Sequence, residues 1–506
     1  MSGSTRLSST RAQLRDRLSS GYEPAPPEFI SRLSYYPWLI VGTTCIGAFI
    51  GQLDASIVQL ALPALEREFH ATLTAVSWVA IAYLVALASL LPVFARLSEI
   101  FGRKLLYLGG YALFTAASLM CGLVGHLDLL ILFRAIQGIG GALLGANSLT
   151  ILVKAAGPER RGRAMGLFAA AQAVGVSAGP VVGGLLLGTL GWRWVFWASV
   201  PFGVAGILVG WFILPQTSSH SAERRFDWIG ALLLTPAVVS LVVILSEFRA
   251  WGPRSIPLIG TIVAAIVLLP LFAWRERKSP APLIDLHLFR VPAFTGGMIA
   301  VNVSYALLYS MFFLMSFAFI RGFGDSPISA GLRLAIIPIA LGLVAPISGA
   351  LYERIGARVI TTVGMALSLG AMVLLSQTLT GAIGGGTPRM SALAIFGIGL
   401  GLFIAPNNSA TIAAAPEERS GEAGGMLNLM RVLGCIVGVA TASTTLSWRL
   451  EVLTGVGEHT VGVPTQSVLS ATNDVLWFLG AFAVVSAGTA LLRSHLRPAP
   501  ATEAAR

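Results

Sequence analysis

Fourteen runs of about twenty or more mostly apolar residues partition this chain of 506 residues. An α-helix rises 1.5 Å per residue, so a hydrocarbon layer of ~30 Å is crossed by ~20 of them. The first six runs extend from Pro37 to Pro63, Thr74 to Leu97, Leu105 to Val124, Leu129 to Val153, Arg163 to Leu190 and Arg193 to Leu214. Two more extend from Trp228 to Ser246 and from Ile256 to Trp274. The last six extend from Phe294 to Ile320, Ile328 to Tyr352, Val359 to Leu379, Met390 to Ala413, Ala423 to Leu446 and Val475 to Leu492. Only 11% of the residues are charged, against roughly 25% in soluble proteins. That deficit excludes a cytosolic enzyme, a disordered chain and a secreted disulfide scaffold. Cys45, Cys121 and Cys435 are scattered and odd in number, and the six histidines fall at or beyond run ends. No disulfide framework or metal site is expected from them.

The net charge of +11 raises nucleic acid as a partner, but the positions of the basic residues favour topology. With the N-terminus inside, 24 of the 34 Lys and Arg residues fall in cytoplasmic segments and 8 in external ones. Both termini are therefore expected in the cytoplasm of a multi-pass cell-membrane protein, with the lipid bilayer as partner and no nucleic acid. The first 36 residues lack an apolar core and are not a cleavable signal peptide. A solvated tail that enforces orientation is expected; a transit sequence or a surface helix is the alternative.

An internal repeat organises the spans. Glu99, Gly102 and Lys104 in the loop after span two recur as Glu353, Gly356 and Arg358 after span ten, 254 residues later. Ala156, Pro158 and Glu159 recur as Ala414, Pro416 and Glu417, 258 residues later. Gly138, Gly140 and Asn147 of span four answer Gly397, Gly399 and Asn408 of span twelve. Each pair has the same orientation, so the repeat is parallel and spans one to six match nine to fourteen. The expected organisation is a tail (1–36), a six-helix bundle (37–214), a linker with two inserted spans (215–293), a second bundle (294–492) and a short tail (493–506). Parallel six-helix halves place a substrate site near the bilayer midplane between them.

Four motifs carry a resemblance. Span one holds Asp54, Ser56, Gln59 and Pro63 where the pattern Asp-x-Thr-Ile-Val-Asn-Val-Ala-Leu-Pro is typical. The loop from Ala95 through Glu99, Gly102, Arg103 and Lys104 is similar to Gly-x-x-x-Asp-x-x-Gly-Arg-Arg/Lys, with alanine and glutamate as departures. Span four has Arg134, Gln137, Gly138 and Gly140, and span five has Gly175, Gly179, Pro180, Gly183 and Gly184. Together they resemble the fourteen-helix drug:proton antiporter branch of the major facilitator superfamily, from about Pro37 to Leu492. The resemblance implies an all-α fold of two six-helix bundles in parallel pseudo-repeat plus two inserted helices. It also implies a conformational latch at Glu99–Lys104 with its counterpart at Glu353, Gly356 and Arg358, and an exporter motif in span five. Glycines every four residues leave a flat face for close packing there, and Pro180 removes a backbone donor.

An ionisable side chain within a span is a functional candidate because its burial is costly. Of 23 acidic residues only Asp54 falls well inside a span, while Glu247, Glu422 and Asp474 sit at span ends. Asp54 and Arg134 enter their helices from the same side to depths of roughly 13 and 9 Å, which suits a proton-coupling pair. Arg431 sits deep in span thirteen, as a substrate contact or as internal glue to carbonyls and to Asn407, Asn408 or Asn428. Gln59, Gln137 and a stripe of Asn302, Tyr305, Tyr309 and Phe312 on span nine complete the expected substrate cavity. The leading expectation is a monomeric secondary transporter, not an enzyme, that exports small amphipathic molecules against protons. It would use the proton gradient and no cofactor. The alternative is a transporter of the same fold that moves a lipid or a specific metabolite.

Overall fold

The computed structural model describes residues 23–217, 226–252, 254–280, 282–416, 419–455 and 459–492. Residues 1–22 of the expected N-terminal tail and the whole expected C-terminal tail 493–506 lie outside this set, as does Glu417 of the repeated loop. Among the described residues, fourteen helices are long and apolar enough to cross a membrane. In the first half they are α1 (Tyr36–Phe69), α2 (Leu73–Phe101), α3 (Arg103–Leu123), α4 (Leu127–Ala156), α5 (Arg161–Thr189) and α6 (Arg193–Ile213). The inserted pair is α7 (Trp228–Trp251) and α8 (Ile256–Lys278). The second half holds α9 (Pro292–Gly322), α10 (Pro327–Ile355), α11 (Ala357–Leu379), α12 (Gly386–Ala413), α13 (Ser420–Thr454) and α14 (Thr465–Ser486). We call the face carrying the connections after odd-numbered helices the odd face and the opposite one the even face.

The helix pairings of the first half recur in the second. α1 packs on α5, α4 and α6, α2 on α4, and α3 on α4 and α6; α9 packs on α13, α12 and α14, α10 on α12, and α11 on α12 and α14. The halves meet where α2 packs on α13, α5 on α10 and α1 on α9. The inserted α7 lies against α2 and α13, in the groove between the halves. It is bonded to both: Trp78 Nε1 donates to Glu247 at 2.6 Å, Arg249 pairs with Glu451, and Thr444 donates to the Leu245 and Ser246 carbonyls.

Several helix ends run past the apolar runs that mark them in the sequence. Pro63 is inside α1, which continues to Phe69 and ends where His70 turns left-handed at φ 48°. Glu66 is therefore in the last turn of a spanning helix, beyond the span end expected at Pro63, and is fully buried. A proline costs a helix one hydrogen bond, and packed neighbours tolerate that loss in spanning helices. α13 likewise extends to Thr454 and α14 begins at Thr465, so most of the expected polar stretch between them is helical. Arg449 and Asp474 tie these extensions together at 2.5 Å. Side-chain caps start other helices: Thr72 accepts from the Ala75 N–H, and Ser255 from that of Leu258.

The glycines of α5 seat it on α1. A Cβ at Gly175 would lie 2.5 Å from the Phe49 carbonyl oxygen, one at Gly179 1.9 Å from Ser56 Oγ, and one at Gly183 2.8 Å from Ile57. Gly184, one residue on, faces α10 instead, 2.5 Å by the same measure from the Pro327 carbonyl oxygen. Gly179→Ala is expected to lower stability by about 1–3 kcal/mol through overpacking. Gly166→Ala, on the same helix with open space around it, is expected to leave it unchanged or slightly raised. Thermal unfolding of the two purified variants makes the comparison.

Candidate functional site

The deepest polar cluster joins five helices of the first half. Asp54 on α1 and Arg134 on α4 form an ion pair at 2.7 Å, each side chain 1% exposed. Depth along the helices predicts this height match, and the structure brings the two into contact. Arg134 Nη1 also donates to Gln137 Oε1 at 2.5 Å, and its Nε donates to the Val79 carbonyl of α2 at 2.8 Å. The guanidinium stacks over the Tyr83 ring, 4.5 Å from its centroid. Gln137 Nε2 donates to Asp54 Oδ1 and to Ser118 Oγ of α3, both at 2.8 Å. Ser199 of α6 continues the chain to Ser118 at 3.1 Å. Val79, Tyr83, Ser118 and Ser199 escape the sequence reading. A serine or a backbone carbonyl in an apolar helix carries no distinguishing signal.

Each oxygen of Asp54 accepts one hydrogen bond, Oδ2 from a guanidinium and Oδ1 from an amide. Both partners are donors there. A proton on Asp54 can take the second lone pair of either oxygen, and it removes the negative charge that holds Arg134, so both bonds weaken. Protonation and rearrangement of α1 against α4 are thereby linked.

The second half contributes a different centre. Arg431 of α13 lies over the Tyr305 ring of α9, 5.9 Å from its centroid. Asn302 donates to the Met430 carbonyl at 3.2 Å and holds α9 on α13. Tyr305 and Asn302 are half-buried, whereas Tyr309 and Phe312 are in the core and pack edge-to-face with centroids 5.8 Å apart. Phe312 is therefore packing in this conformation rather than cavity lining, since the stripe's odd-face end turns into the bundle. Asn407 donates to the Gly297 carbonyl at 3.3 Å, about 12 Å along α9 from Tyr305. It ties α12 to α9 away from Arg431, and Asn428 is half-buried. Gln59 is buried with both amide atoms unpartnered among the described residues, as is Asn408 Oδ1.

The halves are bonded together at the odd face. Glu66 accepts from the Thr460 N–H at 2.6 Å and from its hydroxyl at 2.5 Å. Arg321 at the end of α9 donates to the Pro63 carbonyl at 2.7 Å and lies 3.7 Å from Glu66. His459 contacts the Ala71 carbonyl oxygen at 3.1 Å. Beneath this seal Gly331 and Gly184 bring α10 and α5 together: a Cβ at Gly331 would lie 2.2 Å from the Pro180 carbonyl oxygen.

At the even face the repeated loops share a backbone and differ in their surroundings. Gly102 and Gly356 take φ of 99° and 82°, a region that disfavours any side chain. Glu99 pairs with Arg96 at 2.5 Å and Arg103 at 3.4 Å rather than capping a neighbouring helix. The cap of α3 comes from Thr217, whose Oγ1 accepts from the Arg103 and Lys104 N–H groups at 2.9 and 3.2 Å, and from Glu23, which accepts from the Leu105 and Thr217 N–H groups. Lys104 is buried and donates to the Pro24 and Leu214 carbonyls at 2.6 and 2.7 Å. In the second half Glu353 and Arg358 are exposed, so the charge constellation is not repeated with the turn. Arg419 of the α12–α13 connection pairs with Asp285. Burial raises the Asp285 carboxyl, but bonds from the His287 N–H and ring and the Arg419 charge outweigh it and hold it below its usual range.

A family profile described as Major Facilitator Superfamily matches residues 44–439. The chain is 33% identical over 432 residues to "Multidrug resistance protein Stp" of Mycobacterium tuberculosis (strain CDC 1551 / Oshkosh), covering 84% of this chain and 78% of that one. It is 29% identical over 446 residues to "Riboflavin transporter RibZ" of Clostridioides difficile (strain 630), covering 87% and 94%. Among solved structures, the fold is similar to that of a bacterial homologue of the human lysosomal transporter Spinster, with a TM-score of 0.65 at 13% identity, covering 91% and 97%.

Proposed function

The chain belongs to the major facilitator superfamily of membrane transporters, and from that premise we propose that it exports small amphipathic molecules in exchange for protons by alternating access. The observation that carries this reading is Asp54, a carboxylate sealed from solvent with both oxygens held by donors from α4. Taking up a proton removes the charge that holds Arg134 and Gln137 in place, which couples protonation to rearrangement as a proton carrier requires. We place the odd face outside and both termini in the cytoplasm of the cell membrane, following the distribution of basic residues. The bonded odd face is then closed to the outside, with Asp54 paired to Arg134. Outward opening breaks the Glu66–Thr460 and Arg321–Pro63 bonds. Protonation of Asp54 then frees Arg134 or Gln137, and return to the present arrangement expels the proton inward.

The similarity to a multidrug resistance protein favours varied amphipathic substrates. The similarity to a riboflavin transporter favours the second reading, a specific metabolite carried by the same machinery. No cofactor beyond the proton gradient enters the scheme, and a single chain in the bilayer suffices. The test is a proteoliposome enclosing a pH-sensitive dye and challenged with cationic, neutral and anionic amphipaths. Substrate-dependent proton movement with several unrelated compounds supports multidrug exchange, and a response to one metabolite alone supports the second reading. Transport without proton movement overturns the coupling.

A further inference from the structure

Three charged side chains lie deep in the spans around the interface of the halves: Asp54, Arg134 and Arg431. The first two cancel each other at 2.7 Å. Among the described residues no carboxylate pairs with Arg431, whereas Arg249, Arg321, Arg333 and Arg449 each have one. Arg431 is about 16 Å along α13 from its even end, and its guanidinium lies 5.9 Å from the Tyr305 ring centroid of α9. Its helix packs on α2 of the first half and on α9 of the second, so the unpaired cation sits on the helix where the halves meet.

A guanidinium without a counter-ion in a low-dielectric setting is costly, and phenols compensate only part of its charge. With Asp54 ionised the centre carries one net positive charge, and with Asp54 protonated it carries two. A cationic substrate would add to that charge, whereas a monoanion cancels it. We propose that the substrates of this chain are amphipathic anions: a carboxylate, sulfonate or phenolate bound by Arg431, joined to an aromatic body laid against Tyr305. Arg431, Tyr305 and Asn302 are half-buried in this state, and Tyr309, about one helical turn along α9 from Tyr305, is in the core. A planar guanidinium grips an acid group through paired donors and an aromatic ring through its face, which suits this class of molecule. The proposal names the substrate class of the export reading and rests on that reading for the purpose of the site.

Two xanthene dyes of similar frame and opposite charge separate the cases: fluorescein as the anion and rhodamine 123 as the cation. On the purified full chain, fluorescence anisotropy is expected to show fluorescein binding at least roughly tenfold more tightly, the scale of one charge-assisted hydrogen bond. Arg431→Gln is expected to erase that preference by weakening fluorescein tenfold or more, with rhodamine 123 unchanged or tighter. Arg431→Lys keeps the charge and is expected to retain part of it. Equal or tighter rhodamine binding to the native chain overturns the proposal without recourse to any variant. So does undiminished fluorescein binding by Arg431→Gln, which would leave Arg431 as internal glue. Proteoliposomes that move rhodamine 123 against a pH gradient and ignore fluorescein keep the export reading and refute the anionic class. A chain that binds fluorescein through Arg431 and moves neither dye keeps the anionic site and refutes export.

Discussion

Asp54→Asn is expected to reduce substrate-driven proton movement in proteoliposomes to the background leak, while exchange of substrate down its own gradient persists. The asparagine keeps the shape of the carboxylate and one acceptor for Arg134. It cannot take up a proton, so the charge change that loosens the bonds from Arg134 and Gln137 is gone. It also leaves Arg134 as a buried cation without a counter-ion, and removing one partner of a buried pair typically costs about 3–5 kcal/mol. Lower stability of this variant is therefore expected and must be distinguished from lost coupling. The double variant Asp54→Asn with Arg134→Gln restores neutrality. It is expected to regain much of the stability, read as thermal unfolding, and none of the proton movement. Retention of substrate-driven proton movement by either variant would assign the pair a structural role alone.

How far the sequence reveals this site follows from the kind of signal each part leaves. Spans are legible because lipid demands long apolar runs, and the repeat is legible because two halves of one orientation reuse the same turns. Asp54 and Arg134 stand out as charges where charge is scarce, and counting residues from the helix ends matches their depths. Glu66 does not stand out, because Pro63 and the polar Glu66, Arg67 and Glu68 look like the end of a span. Its burial is made by Thr460 and Arg321, which lie more than 250 residues away and are unpredictable from local pattern. The latch loops show the opposite failure. Their residues match, but only the first copy is covered by the segment at Glu23 and by Thr217, so equal spacing does not make equal environments. For the aromatic stripe the only signal is periodicity, which cannot tell a cavity wall from the core that holds Phe312.

Gly331→Leu is expected to hold the odd face open and to lower transport at least tenfold without preventing insertion or folding. In the closed arrangement a Cβ at this position would lie 2.2 Å from the Pro180 carbonyl oxygen, 3.0 Å from Gly184 Cα and 3.2 Å from Gly184 N. All three are backbone atoms, so no side-chain rotation relieves the clash and α10 must separate from α5. That separation strains the bonds above it, from Glu66 to Thr460 and from Arg321 to Pro63. An interface of two packed halves is bistable, so an obstruction at one end shifts the population rather than bending the helices. A hundredfold shift needs about 2.7 kcal/mol, within the ~1–3 kcal/mol typical of overpacking. Cys435 provides a native reporter, since it lies buried beside Arg431 between the halves. With Cys45 and Cys121 replaced by alanine, a membrane-impermeant maleimide added from the odd face is expected to label Cys435 faster in Gly331→Leu than in the parent. Unchanged labelling with unchanged transport would mean that α5 and α10 need not touch in any state of the cycle. Gly331→Ala poses the same test with less bulk and is expected to produce the same change at smaller amplitude, because the clash begins at Cβ.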